Sequence, residues 1–95
     1  MNIAWIRNVQ AEFIRLYGPR RGPKICGAVI PGVMADFRKV LAGAEPGVPI
    51  GETYRADDRR TVVRLEGRRL PGGGAELTRL TVNDIPVDLG GPLPL

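Results

Sequence analysis

GPRRGPKICGAVIPG, residues 18–32, is the stretch on which the fold turns. Glycine accepts the left-handed backbone that closes a helix, and proline lacks the amide that would extend one. Gly18-Pro19 therefore reads as a helix stop. Gly18 to Lys24 then forms a basic loop punctuated by Gly and Pro. Ile25–Ile30, ICGAVI, is a short apolar run bounded by Pro31-Gly32, and it reads as a buried strand.

Upstream of the stop, Asn2 supplies a capping side chain and the residues from Ile3 to Tyr17 follow a helical period. Ile3, Ile6, Val9, Phe13, Leu16 and Tyr17 fall on one broad face, with Arg7, Asn8, Glu12 and Arg15 opposite. Downstream, Val33, Phe37, Val40 and Leu41 have helical spacing and Gly43 can end it, so a short helix is expected over 33–41, with strand as the alternative. Residues 42–51 are a loop.

From residue 51 the pattern turns to strands. Glu52–Ala56 and Arg59–Glu66 flank a turn at Asp57-Asp58. Pro71-Gly72-Gly73-Gly74 is a loop tip, and Glu76–Val82 and Ile85–Leu89 flank Asn83-Asp84, two residues that tolerate positive φ and so signal a hairpin. Leu80 and Val82 are expected to face Ile85, Val87 and Leu89. The result is a single α+β domain over 1–95: a helix over 1–18, a small, mostly antiparallel β-domain over 25–89, and an extended tail over 90–95. A barrel of SH3 or OB type closes such short strands economically.

The chain has 95 residues, 43% of them hydrophobic, which suffices for one core. No apolar run reaches the ~20 residues of a membrane span, and Arg7 interrupts the opening before a signal-peptide core can form. A cytoplasmic location is expected. The chain contains neither His nor Ser, so it cannot build a Ser-His-Asp or Cys-His catalytic site on its own. One Cys and no His cannot fill a Cys/His zinc site, and one thiol forms no intrachain disulfide. No catalytic residue, cofactor, metal or small-molecule substrate is expected.

Net charge is +4, from twelve Arg and two Lys against ten acids. Residues 1–44 carry seven basic and two acidic side chains, whereas residues 76–95 carry one and three. A basic front and an acidic end suit a polyanion at one pole, or copies of the chain meeting head to tail. Arg20, Arg21 and Lys24 are the candidate phosphate contacts, because guanidinium forks match phosphate oxygens. The weaker candidates have ordinary explanations. Cys26 in an apolar run is a small buried hydrophobe rather than a reactive thiol. Asp57-Asp58 with Glu52 and Glu66 suggests paired carboxylates, but Arg55, Arg59 and Arg60 would neutralise a solvated turn there. Gly18–Lys24 lacks the spacing of a phosphate loop. In the tail, Gly90-Gly91 frees the direction of the chain and Pro92 and Pro94 hold Leu93 and Leu95 extended, so these two leucines are candidate assembly contacts.

Three stretches carry a family resemblance: Phe13–Gly18 ending the opening helix, Gly27–Val33, and the late hairpin Leu80–Val87. Their order resembles that of the head-completion or stopper proteins of double-stranded DNA phages. The resemblance implies a non-enzymatic head–tail connector. It would form a ring of copies of itself against portal, adaptor or tail proteins, help to retain packaged DNA, and reside in the virion after assembly in the host cytoplasm. A basic SH3- or OB-like nucleic-acid-binding domain and a protein-binding regulator are the alternatives.

Overall fold

The computed structural model describes residues 3–56 and 60–95. Helix α1 (Ala4–Ala42) is followed by strands β1 (Ile50–Arg55), β2 (Val62–Arg69), β3 (Ala75–Val82), β4 (Ile85–Pro86) and β5 (Leu93–Pro94). The chain is an α+β fold, a helical element and then an antiparallel sheet. The capping role expected of Asn2 lies outside the described residues, as does the turn at Asp57-Asp58.

Residues 18–32 differ from the expectation. Gly18 has φ 91° and ψ 168°, a conformation open essentially to glycine alone. It redirects the chain within one residue instead of ending the helical segment. Pro19, with φ already fixed, suits the first turn of the second helical stretch. Element α1 is thus two helical arms, residues 4–17 and 19–42, joined at a corner. The expected basic loop is helical, the expected strand Ile25–Ile30 is helical, and the β portion begins at Ile50 rather than at residue 25.

The physical reason is a stripe. Cys26, Ile30, Met34, Phe37 and Leu41 are all buried, at spacings of three and four residues that trace one helical face. ICGAVI is apolar because half-buried Ile25 and Val29 flank this stripe, not because both faces of a strand are covered. Pro31 interrupts little, since it and Gly27, whose carbonyl loses its helical donor, are both on the exposed side. The helix expected over 33–41 is the end of this arm, with Val40 exposed.

The two arms meet closely. A Cβ on Gly22 would lie 2.6 Å from Cα of Ile14, so only glycine lets the second arm approach the first there. Val9 and Phe13 from the first arm, and Phe37 and Leu41 from the second, are buried in one core with Val63, Leu65, Leu77, Leu80 and Val82 of the sheet.

The sheet runs β1-β2-β3-β4, with β5 pairing the same edge of the core strand β3 farther along. It does not close, so the barrel expectation gives way to an open sheet. A sheet whose inner face is covered by a helix has no need to cover itself. Asn83 and Asp84 have φ of 48° and 66°, the two left-handed residues that the hairpin reading called for. The Asn83 side chain also accepts from the Val62 amide at 2.8 Å and donates to the Arg60 carbonyl at 3.1 Å, tying the hairpin to the start of β2. Val87 and Leu89 are buried as expected, but Ile85 is 37% exposed. The β2–β3 register slips at Glu66/Gly67. There a Cβ on Gly67 would meet the Glu76 carbonyl, and the Phe37 ring lies 3.1 Å away, so this glycine lets α1 sit down on the bulge.

Candidate docking site and basic helix face

The first arm is not covered along its whole length. Val9 and Phe13 reach the core, whereas Ile3 is 57% exposed and Ile6 41%. The face expected to bury six apolar side chains therefore buries two, with Tyr17 half-buried and its hydroxyl bonded to that of Thr61. Beside the uncovered end lies a cleft of about 410 Å³. It is lined by Ile3, Trp5 and Ile6 of the first arm, by Met34 and Arg38 of the second, and by Leu89, Gly90 and residues 92–95 of the tail. Among the described residues, Arg38 is the one charged side chain lining it.

Hydrogen bonds hold the two sides of the cleft in place. The Asn8 side chain donates to the Asp88 carbonyl at 2.9 Å, fixing the first arm against the chain beyond β4. The Asp88 carboxylate accepts from the Gly90 amide at 2.8 Å, turning the chain at Gly90 and Gly91, whose φ values are 71° and 112°. The tail then runs antiparallel to β3, pairing Leu93 with Leu77 and donating from the Leu95 amide to the Ala75 carbonyl at 2.9 Å.

Leu93 is 8% exposed and belongs to the chain's own core, and Leu95 packs against that core. The tail is extended, as its prolines dictate, but in this structure the leucines offered as assembly contacts are anchored to the chain's own sheet. The apolar surface left over is on the opposite wall, at Ile3, Trp5 and Ile6, which sequence reading assigned to the core. Periodicity showed that these residues share a face; it carried no signal of where burial ends.

Beyond Leu95 a second cleft of about 300 Å³ is bordered by Arg38, Leu41 and Arg69. Arg69 donates to the carbonyls of Ala42 and Ala44, both at 3.3 Å, neutralising the C-terminal end of α1.

Arg20, Arg21 and Lys24 are exposed, on the outward side of the second arm rather than on a loop. Lys39 is exposed on the same side, and Arg38, also exposed, stands at the margin of that face where it borders the two clefts. Sequence reading connected neither to the first three. The link was in the numbering, since Arg20 and Arg38, and likewise Arg21 and Lys39, are eighteen residues apart, or about five helical turns. That spacing has meaning only if the helix is continuous.

The remaining candidates separate. Glu52 pairs with Leu65 across the strands and Glu66 with Gly51, so the two carboxylates are on opposite faces of the sheet. Glu66 lies 3.6 Å from Arg64 and 3.8 Å from Arg79. Asp57 and Asp58 are outside the described residues. Among the described residues, no group of three or more Cys, Asp or Glu is placed to hold a metal ion. Cys26 is buried, and burial pushes its thiol above the ordinary range. No helix among the described residues is long and apolar enough to cross a membrane.

Comparison with protein families, with curated proteins and with solved structures gives no match.

Proposed function

We propose that this chain is a non-enzymatic assembly subunit that docks on its neighbours through the uncovered end of the first helical arm. The observation that carries this reading is the apolar wall of Ile3, Trp5 and Ile6 beside a cleft of about 410 Å³. Large apolar side chains around a concave site are what an anchoring side chain from another chain fills. The neighbours are copies of the same chain. The head–tail junction of a double-stranded DNA phage is the setting that the resemblance implies, with portal, adaptor or tail proteins beyond the ring. Two of its three stretches keep their expected form, the opening helix and the Leu80–Val87 hairpin, whereas Gly27–Val33 is helical.

Light scattering of the purified chain over a wide concentration range tests the reading. Self-association is expected, and Ile3→Asp with Ile6→Asp should reduce it to monomer while leaving the melting temperature within a few degrees, because both side chains are exposed. A parent chain that stays monomeric at every concentration overturns the reading. So does a double variant that assembles as the parent does.

A further inference from the structure

We propose that the outward face of the second helical arm docks on the phosphate backbones of duplex DNA, a reading that stands independently of the assembly role. Arg20, Arg21 and Lys24 form one cluster on this face, and Arg38 and Lys39 form another. Eighteen residues separate Arg20 from Arg38 and Arg21 from Lys39, which puts each pair at the same azimuth about 27 Å apart.

All five side chains are exposed, and none of them is in an ion pair with a carboxylate of the described residues. Asp36 is the one acid in residues 19–42 and lies toward Tyr54 of β1. Three arginines of the sheet provide a contrast: Arg64, Arg68 and Arg79 each lie within ion-pair reach of Glu66 or Glu76, whereas Arg55 of β1 is in none of these pairs. The second arm thus carries five basic side chains in none of these ion pairs.

Between the two clusters the exposed residues are Gly27, Ala28, Pro31, Gly32, Ala35 and Asp36, the last on the β1 side, so no long side chain holds a flat polyanion away. Two cationic clusters at a fixed separation match a stiff ladder of phosphates. A flexible single strand would need aromatic side chains to stack its bases, and this face has none. An acidic protein partner would be anchored by aromatic or large apolar residues, and these are missing from it as well.

The test is fluorescence anisotropy of a short labelled duplex across a salt series. Each neutralised phosphate contributes about 0.9 to the slope of log affinity against log salt, so five contacts give about 4.5. Arg20→Gln, Arg21→Gln and Lys24→Gln together should lower the slope by about 2.7, and Arg38→Gln with Lys39→Gln by about 1.8. Arg64→Gln, Arg68→Gln and Arg79→Gln, which remove as much charge as the first set, should leave it nearly unchanged. Glutamine keeps the helix, and an unchanged circular dichroism spectrum confirms that the fold is retained. The proposal is overturned if the sheet variant loses as much as the first helix variant, since binding would then follow net charge alone. It is also overturned if either helix variant keeps the parental slope, if a single strand of equal length binds as tightly, or if polyglutamate of equal charge competes as well as the duplex. Light scattering on the Arg20/Arg21/Lys24 variant, none of whose positions lines the apolar cleft, should match the parent, so a failure of the assembly reading is seen separately.

Discussion

Three glycines of α1 carry opposite instructions. Gly22 touches the main chain of Ile14, and an added methyl group would have to displace backbone. Gly27 and Gly32 are exposed and have nothing within 4 Å of a would-be Cβ. Replacing glycine by alanine in a helix interior gains up to about 1 kcal/mol, whereas overpacking costs about 1–3 kcal/mol. Gly22→Ala should therefore lower the melting temperature by several degrees, while Gly27→Ala and Gly32→Ala should raise it. Thermal melts of the three variants decide the matter, and the opposite order would mean that the arms do not pack at Gly22.

Tyr54 makes a second argument at this scale. Its hydroxyl is buried without a hydrogen-bond partner. Burial, then the charges of Glu52 and Asp36, raise its ionisation above the usual tyrosine value. A phenol whose folded value is raised contributes stability below its unfolded value, near pH 10, and that contribution is lost as pH climbs through the folded value. Tyr54→Phe removes an unsatisfied group and should be at least as stable as the parent at neutral pH. It should also lose less stability in alkali, which denaturant titrations near neutrality and above pH 10 measure.

At the scale of elements, the corner at Gly18 and the docking of β5 shape the molecule most. A glycine-only backbone turn makes two arms out of what would be one straight rod. Strand β5 has only two residues, but it brings Leu93 into the core, and the tail around it lines both clefts. Burying a leucine is worth about 1.5–3 kcal/mol. For a domain of this size, 1 kcal/mol corresponds to about 4–8 °C. Ending the chain after Leu89 should thus lower the melting temperature by roughly 6–24 °C, by the same conversion. A truncated chain that melts with the parent would show that the tail contributes nothing to the monomer, and would return Leu93 and Leu95 to the role of contacts for another subunit.

Across the whole molecule, the apolar wall and the basic clusters lie on different arms of α1, with exposed Val40 beside the second cluster. The uncovered apolar residues Ile3 and Ile6 gather at the start of the first arm, and unpaired positive charge lies along the outside of the second. Arg38 belongs to both regions, lining the apolar cleft and standing in the second basic cluster. A subunit built this way presents one surface for neighbours and another for a polyanion. The Ile3/Ile6 variant should therefore fail in light scattering and the helix-face variants in DNA binding.

Some of this was written in local chemistry. The Asn83-Asp84 turn, the alternation of β2 and β3, the opening helix and the exposure of Arg20, Arg21 and Lys24 all follow from the residues and their immediate neighbours, because φ preference and short-range periodicity are properties of the chain itself. The path of residues 18–32 was not of this kind. Gly18-Pro19 is as compatible with a corner as with a stop, and ICGAVI suits a buried helix as well as a buried strand. What separates the alternatives is contact with distant residues: Gly22 against Ile14, and Phe37 against Gly67. Once those contacts form, the stripe from Cys26 to Leu41 has a sheet to cover, the tail has an edge of β3 to pair with, and the basic residues at both ends of the second arm fall on one line. Ile3 and Ile6 are left in the open for the same reason, since packing against distant residues, and not the period of the helix, decides where burial ends.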